Sequence, residues 1–238
     1  MRCWFLNHSG VAVKTQSHLL LFDLFGEMLN WESGKGLAQG VVNPQEIKDE
    51  DVLAFVSHEH EDHFSTKLFE LGGKLKHFRM VLPEELDELT DKAVFVAPNE
   101  TVELPDCRIT TFESTDIGVA YLVEIDGRLI YHAGDLNWWH WEGEEAEFNR
   151  DQACRYQQQM EKLKQAVGNR RIDLAFVPVD PRLEQDMLRG VCCLTEQVSV
   201  EKIVPIHFWG DFSVCKQAAD ALGNRVVQLT SCGQEIEW

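Results

Sequence analysis

The sequence has no CxxC pair, no Gly-x-Ser-x-Gly turn, no GxxxxGK[ST] loop and no apolar run near the about 18 residues of a membrane span. These absences leave no support for a disulfide relay, a serine hydrolase, a nucleoside triphosphatase or a helical membrane protein. Positive charge is also scarce: 22 Lys and Arg face 40 Asp and Glu, a formal charge of -18. Such a surface repels phosphate backbones and anionic membranes, so neither nucleic acid nor membrane is an expected partner. The seven cysteines are odd in number and are read as reduced core thiols, with Cys192-Cys193 too strained a pair to bridge. The opening stretch reaches a polar residue after four apolar ones, too few for a signal-peptide core, and a cytoplasmic protein is expected.

What is present is an ordinary globular composition, 44% hydrophobic and 26% charged, over 238 residues. One domain spanning 1–238 is expected, since no linker or repeat divides it. Short apolar runs at Cys3–Leu6, Val11–Val13 and Leu19–Phe22 predict a β-meander, and residues 26–40 a glycine-rich loop. Val52–Val56 predicts a strand buried on both faces. A helical piece is expected near Pro83–Leu89. Strands are expected at 93–96, 108–112, 119–125 and 128–132, the last two joined by an Asp126-Gly127 hairpin. Helical spacing runs from Glu144 to Val167 with Gly168 as its stop. Beyond it the pattern predicts a strand at 174–179, a helix at 184–200, a strand at 203–206, a helix at 213–222 and a last strand at 226–229.

Three of the nine histidines and an aspartate crowd into His58-Glu-His60-Glu-Asp62-His63, at the end of the buried strand. In an extended chain His58 and His60 project to one side, and a turn at Glu61 aims Asp62 and His63 at a second point nearby. Imidazole and carboxylate donors suit Zn²⁺, and also Mn²⁺ or Fe²⁺. Asp135 and His207 each follow an apolar strand. Alone, the first reads as a helix cap and the second as a buried histidine, but in series with the cluster both read as ligands. His132 reads as a supporting hydrogen-bond partner. In Leu136-Asn-Trp-Trp-His-Trp141, the tryptophans form either a pocket wall or packing for the following helix or a subunit contact, which leaves homo-oligomerisation open. His140 is a candidate general acid there. His8 reads equally as a surface residue or as a border of the cleft.

His58, His60, Asp62 and His63 match the HxHxDH signature, and the chain resembles the metallo-β-lactamase superfamily, most closely small stand-alone hydrolases similar to ascorbate-6-phosphate lactonase. The resemblance extends over nearly the whole chain, through Leu-Leu-Leu-Phe-Asp23, His-Ala-Gly-Asp135 and Ile-Val-Pro-Ile-His207. It implies an α/β fold, the αββα four-layer sandwich. It also implies a divalent transition metal, one or two per chain, with Asp135 bridging and His207 completing the second position beside Asp62 and His63. The family's further histidine is missing: Phe112-Glu-Ser-Thr-Asp-Ile-Gly118 puts Thr115 at its position, with Asp116 the candidate substitute and a plain turn aspartate the alternative. A metal with an open position lowers the pKa of its water from 15.7 to about 7. The expected activity is therefore hydrolysis of a small ester, lactone or phosphodiester, with Asp62 orienting the nucleophile. A non-catalytic metal-binding module that has lost its first site is the alternative.

Overall fold

A computed structural model describes residues 1–238. The chain forms two compact units, Met1–Ala97 with Thr230–Trp238, and Pro98–Leu229.

The first unit is built on seven strands: β1 (Arg2–Asn7), β2 (Gly10–Lys14), β3 (Leu19–Phe22), β4 (Val52–Phe55), β5 (Phe78–Pro83), β6 (Val94–Val96) and, from the chain end, β13 (Gln234–Glu237). Their order is β13-β1-β2-β3-β4-β5-β6, antiparallel from β13 to β3 and parallel from β3 to β6. Two antiparallel steps restore direction, so β1, β3 and β4 all run the same way. Their C-terminal ends therefore share one edge of the sheet, where loops from parallel strands commonly gather ligands. β3 and β4 are buried on both faces. On one face Phe22 stacks on Phe55 at 4.6 Å, while Leu19, Leu21, Val52 and Ala54 enter a core with Leu68 and Leu71 of α1 (Lys67–Lys74) on the other. Each of the larger side chains among these contributes about 1.5–3 kcal/mol on burial.

The second unit holds β7 (Thr101–Glu103), β8 (Cys107–Glu113), β9 (Val119–Ile125), β10 (Arg128–His132), β11 (Ile172–Pro178) and β12 (Val200–Ile206), in the order β12-β11-β10-β9-β8-β7. β10, β11 and β12 are parallel neighbours; the remaining pairs are antiparallel. β8 thus points the same way as β10, and the loops after β8, β10, β11 and β12 leave one edge. The β9–β10 turn has positive φ at both Asp126 (52°) and Gly127 (70°), the conformation that an Asp-Gly hairpin favours. α2 (Ala146–Val167) buries Tyr156, Met160, Leu163 and Val167 as its spacing predicts. It also buries Asn149, Gln152 and Gln159, which the apolar pattern does not show. α3 (Arg189–Gln197) and α4 (Ser213–Leu222) complete the unit.

The α/β class is borne out, with several local corrections. The helix expected over 184–200 is broken: Glu184 lies at φ 51° within a 3-10 segment, Pro181–Asp186, and α3 begins only at Arg189. Residues 226–229 make a single bridge, Val226 to Ile203, and the last strand is β13, in the first unit's sheet. Residues 26–40 are three 3-10 turns, anchored by buried Met28, Leu29 and Leu37.

Candidate metal centre

Asp23 leaves the end of β3 and Ser57 the end of its parallel neighbour β4, so they stand side by side. The Asp23 carboxylate accepts the Ser57 backbone N–H at 2.7 Å and the Ser57 hydroxyl at 2.8 Å. Its Oδ2 also accepts from His63 Nδ1 at 2.8 Å, with both residues fully buried. With Nδ1 carrying the proton, Nε2 of His63 is the atom that can coordinate. Asp23 holds this place at φ 47°, a conformation that costs a non-glycine residue about 1–2 kcal/mol.

The motif itself closes a turn. The backbone N–H groups of His63 and Phe64 both donate to the His60 carbonyl at 2.9 Å, which separates Asp62 and His63 in direction from His58 and His60. His58 is buried, with Nδ1 2.9 Å from the Ser57 hydroxyl and Nε2 3.0 Å from His60 Nδ1. Asp62 Oδ2 lies 3.3 Å from Nε2 of His8, and the donor atoms of His8, Asp62 and His63 all fall within 4.8 Å of one another. The hydrogen bond with His8 is the main reason that the Asp62 carboxyl sits well below the usual carboxylate range; burial opposes it, and His63 lowers it further.

In the second unit, Asp135, Asp180 and His207 follow the C-terminal ends of β10, β11 and β12. His207 Nε2 is 3.4 Å from Asp135 Oδ1, while His207 Nδ1 donates to Asp180 Oδ2 at 3.0 Å. Burial raises the Asp180 carboxyl, but hydrogen bonds from His207 and Arg182 more than offset it and hold it at about 2. An ionised carboxylate can only accept, so His207 keeps its proton on Nδ1 and turns Nε2 toward Asp135. Trp139 meets the His207 ring edge-on at 5.6 Å and donates its indole N–H to the Asp135 carbonyl at 3.0 Å. His132 is buried beneath, its Nδ1 accepting the Gly134 N–H at 3.2 Å.

Thr115 and Asp116 divide the roles expected of one residue. Thr115 is buried; its hydroxyl donates to the Asn137 carbonyl at 2.6 Å and accepts the Asn137 N–H at 3.1 Å, pinning the loop that carries Asp135. Asp116 is exposed, with its backbone N–H on the Ser114 hydroxyl at 3.1 Å, as in an ordinary polar turn. His140 lies at the loop's far end, its Nε2 3.6 Å from Asp186 Oδ2. Trp138 reaches Tyr156 of α2 at 6.2 Å, whereas Trp139 and Trp141 stack at 5.9 Å beside His207, so the tryptophans serve both packing and wall.

The residues fit a divalent transition metal. Bonds of about 2.0–2.2 Å in tetrahedral geometry set neighbouring donors about 3.4 Å apart, and the His207–Asp135 pair stands at 3.4 Å. In each unit a buried carboxylate fixes a histidine tautomer with Nε2 as donor, the usual outer support of metal-binding histidines.

No family model matches the chain. Among curated proteins, it is similar to a UPF0173 metal-dependent hydrolase of Bacillus velezensis, 24% identical over 100% of this chain and 99% of the relative. YtkL of Bacillus subtilis, another UPF0173 metal-dependent hydrolase, is 22% identical over the full length of both. Among solved structures, Igni18, a metallo hydrolase of Ignicoccus hospitalis, superposes with a TM-score of 0.66 at 16% identity, over 100% of this chain and 98% of its own. The metallo-β-lactamase fold protein YhfI of Bacillus subtilis covers 99% of this chain and 98% of its own, with a TM-score of 0.59 and 11% identity. The chain has the fold of the metallo-β-lactamase superfamily. The resemblance carried by HxHxDH is thereby borne out. Within this metallo-β-lactamase fold, sequence reading gave no role to Asp180 and left His8 between surface and cleft; His8 is 5% exposed. Asp180 carries the same signal as Asp135, an acidic residue shortly after a buried parallel strand.

Proposed function

We propose that the protein is a metal-dependent hydrolase acting on a small ester, lactone or phosphodiester. The observation that carries this reading is the repeated pairing of a buried carboxylate with a histidine, Asp23 with His63 and Asp180 with His207. Each pairing holds an imidazole lone pair ready at a fixed place, which a merely structural histidine does not need. The ligand set implied by the resemblance is His58, His60, Asp62, His63, Asp135 and His207, with Zn²⁺ the first choice and Mn²⁺ or Fe²⁺ the others. A bound metal of this kind supplies an activated water near neutral pH and polarises the substrate oxygen. Asp62, kept ionised, would orient that water. The stacked Trp139 and Trp141 shield the His207 side from bulk water.

His140 is the candidate proton donor to the leaving group. Its ring borders a cavity of about 520 Å³ with Trp138, Trp141 and Arg189, which none of the proposed metal ligands lines. The cytoplasmic reading rests on seven cysteines that form no disulfide; no helix is long and apolar enough to cross a membrane.

The test is metal stoichiometry by elemental analysis on protein purified without chelator, followed by assays on esters, lactones and phosphodiesters. One or two transition metals per chain and metal-dependent turnover are expected, and Asp135→Ala should abolish that turnover in a folded protein. No metal after reconstitution with Zn²⁺, Mn²⁺ or Fe²⁺ would leave a binding module without catalysis.

A further inference from the structure

β1 ends at Asn7, and the chain turns at His8 before β2 begins at Gly10. His8 holds this turn at φ 48°, an unusual conformation for a residue with a side chain. Its imidazole is directed inward: the residue is 5% exposed, and its ring stands edge-on to His63 at 5.5 Å and to Phe25 at 6.1 Å. Wedged between these rings, Nε2 lies 3.3 Å from Asp62 Oδ2. A Cβ at Gly10 would collide with Met28 Sδ, so the chain beyond His8 is also packed tightly in place.

We propose that His8 is a metal ligand, sharing one ion with Asp62 and His63. The proposal rests on the metal-dependent reading above and adds a donor that the HxHxDH motif does not contain. Two observations carry it. The 3.3 Å between His8 Nε2 and Asp62 Oδ2 matches the about 3.4 Å between neighbouring tetrahedral ligands with bonds near 2.1 Å. The donor atoms of all three residues lie within 4.8 Å of one another, close to the spacing of donors around one ion.

The competing role is a positioning one, in which His8 only donates a hydrogen bond to Asp62. Glutamine separates the two: its amide N–H can still serve Asp62, but it is a poor transition-metal ligand beside imidazole. The experiment measures Zn²⁺ affinity by chelator competition on the full chain for the wild type, His8→Gln and His8→Ala, with circular dichroism to confirm folding. Zn K-edge absorption spectra count imidazoles per metal. Both variants should lose more than about 100-fold in affinity, beyond the about 10–100-fold typical of an outer hydrogen-bond partner. The spectra of His8→Gln, the near-isosteric variant, should show fewer imidazoles per Zn²⁺. A folded His8→Gln that binds as tightly as the wild type, with an unchanged spectrum, would overturn the ligand assignment and leave the hydrolase reading standing. A wild type that binds no Zn²⁺, Mn²⁺ or Fe²⁺ would overturn both.

Discussion

Asp180 and His207 sit at the ends of adjacent parallel strands, and the 3.0 Å hydrogen bond between them decides which imidazole nitrogen faces Asp135. Replacing Asp180 by Asn keeps the shape but lets the side chain donate as well as accept, so the Nδ1–H tautomer is no longer enforced. Asp180→Asn should fold and lose about 10–100-fold in Zn²⁺ affinity. Nitrogen chemical shifts of the His207 ring, read without metal, should show a mixture of tautomers in the variant and one form in the wild type.

Much of this centre was legible in the sequence for a simple reason. Buried strands read as apolar runs, and a polar residue shortly after such a run marks the sheet edge where ligands gather. His58, Asp135 and His207 all carry that mark, and Asp23 and Asp180 carry it too. His8 follows a strand with a turn on its other side, so its neighbourhood looks like any hairpin, and only tertiary packing turns its ring inward. The fold followed the same divide. β4 and β10 have strong local patterns, whereas α1 contains Gly72 and Gly73 and buries only Leu68 and Leu71. β13 buries one residue, Ile236, and owes its place to pairing with β1. The apolar run at 226–229 finds only one bridge, because local pattern specifies burial and not a pairing partner.

Thr115 serves as a clamp, and removing its hydroxyl should show that role in stability. Thr115→Val keeps the volume but strips the Asn137 carbonyl and N–H of their shared partner inside the protein. Leaving buried groups unsatisfied costs about 1–3 kcal/mol. Urea denaturation should give a loss in that range, whereas Asp116→Ala on the exposed turn should stay within about 0.5 kcal/mol.

Alkaline pH should erode stability through Cys215. Burial pushes its thiol from 9.0 up to about 11. The folded chain thus holds a proton that the unfolded chain releases sooner. This contribution is fully present below about pH 9 and is lost as pH rises toward 11, on the order of 2–3 kcal/mol in all. The stability gap between the wild type and Cys215→Ala, measured by denaturant unfolding at steps from pH 8 to 11, should shift against the wild type over that window. A gap independent of pH would show that the thiol does not resist ionisation.

Arg182 grips the same carboxylate as His207. Its Nε reaches both Asp180 oxygens at 2.9–3.0 Å, its Nη2 donates to Oδ2 at 2.5 Å, and its backbone N–H adds a fourth bond at 2.9 Å. The guanidinium lies over two indoles, 4.8 Å from the Trp209 ring centre and 5.4 Å from that of Trp141. Trp209 also donates to Asp180 Oδ2 at 3.3 Å. The arginine thus holds Asp180 ionised and immobile, and any effect on metal binding should pass through that residue. Arg182→Ala should weaken Zn²⁺ binding by less than Asp180→Asn does, because the Trp209 and backbone bonds to Asp180 remain. In an Asp180→Asn background the same substitution should add almost nothing, the non-additivity expected of residues acting in series. Losses that simply sum would place the action of Arg182 elsewhere. Chelator-competition affinities of the two single variants and the double variant decide between these outcomes.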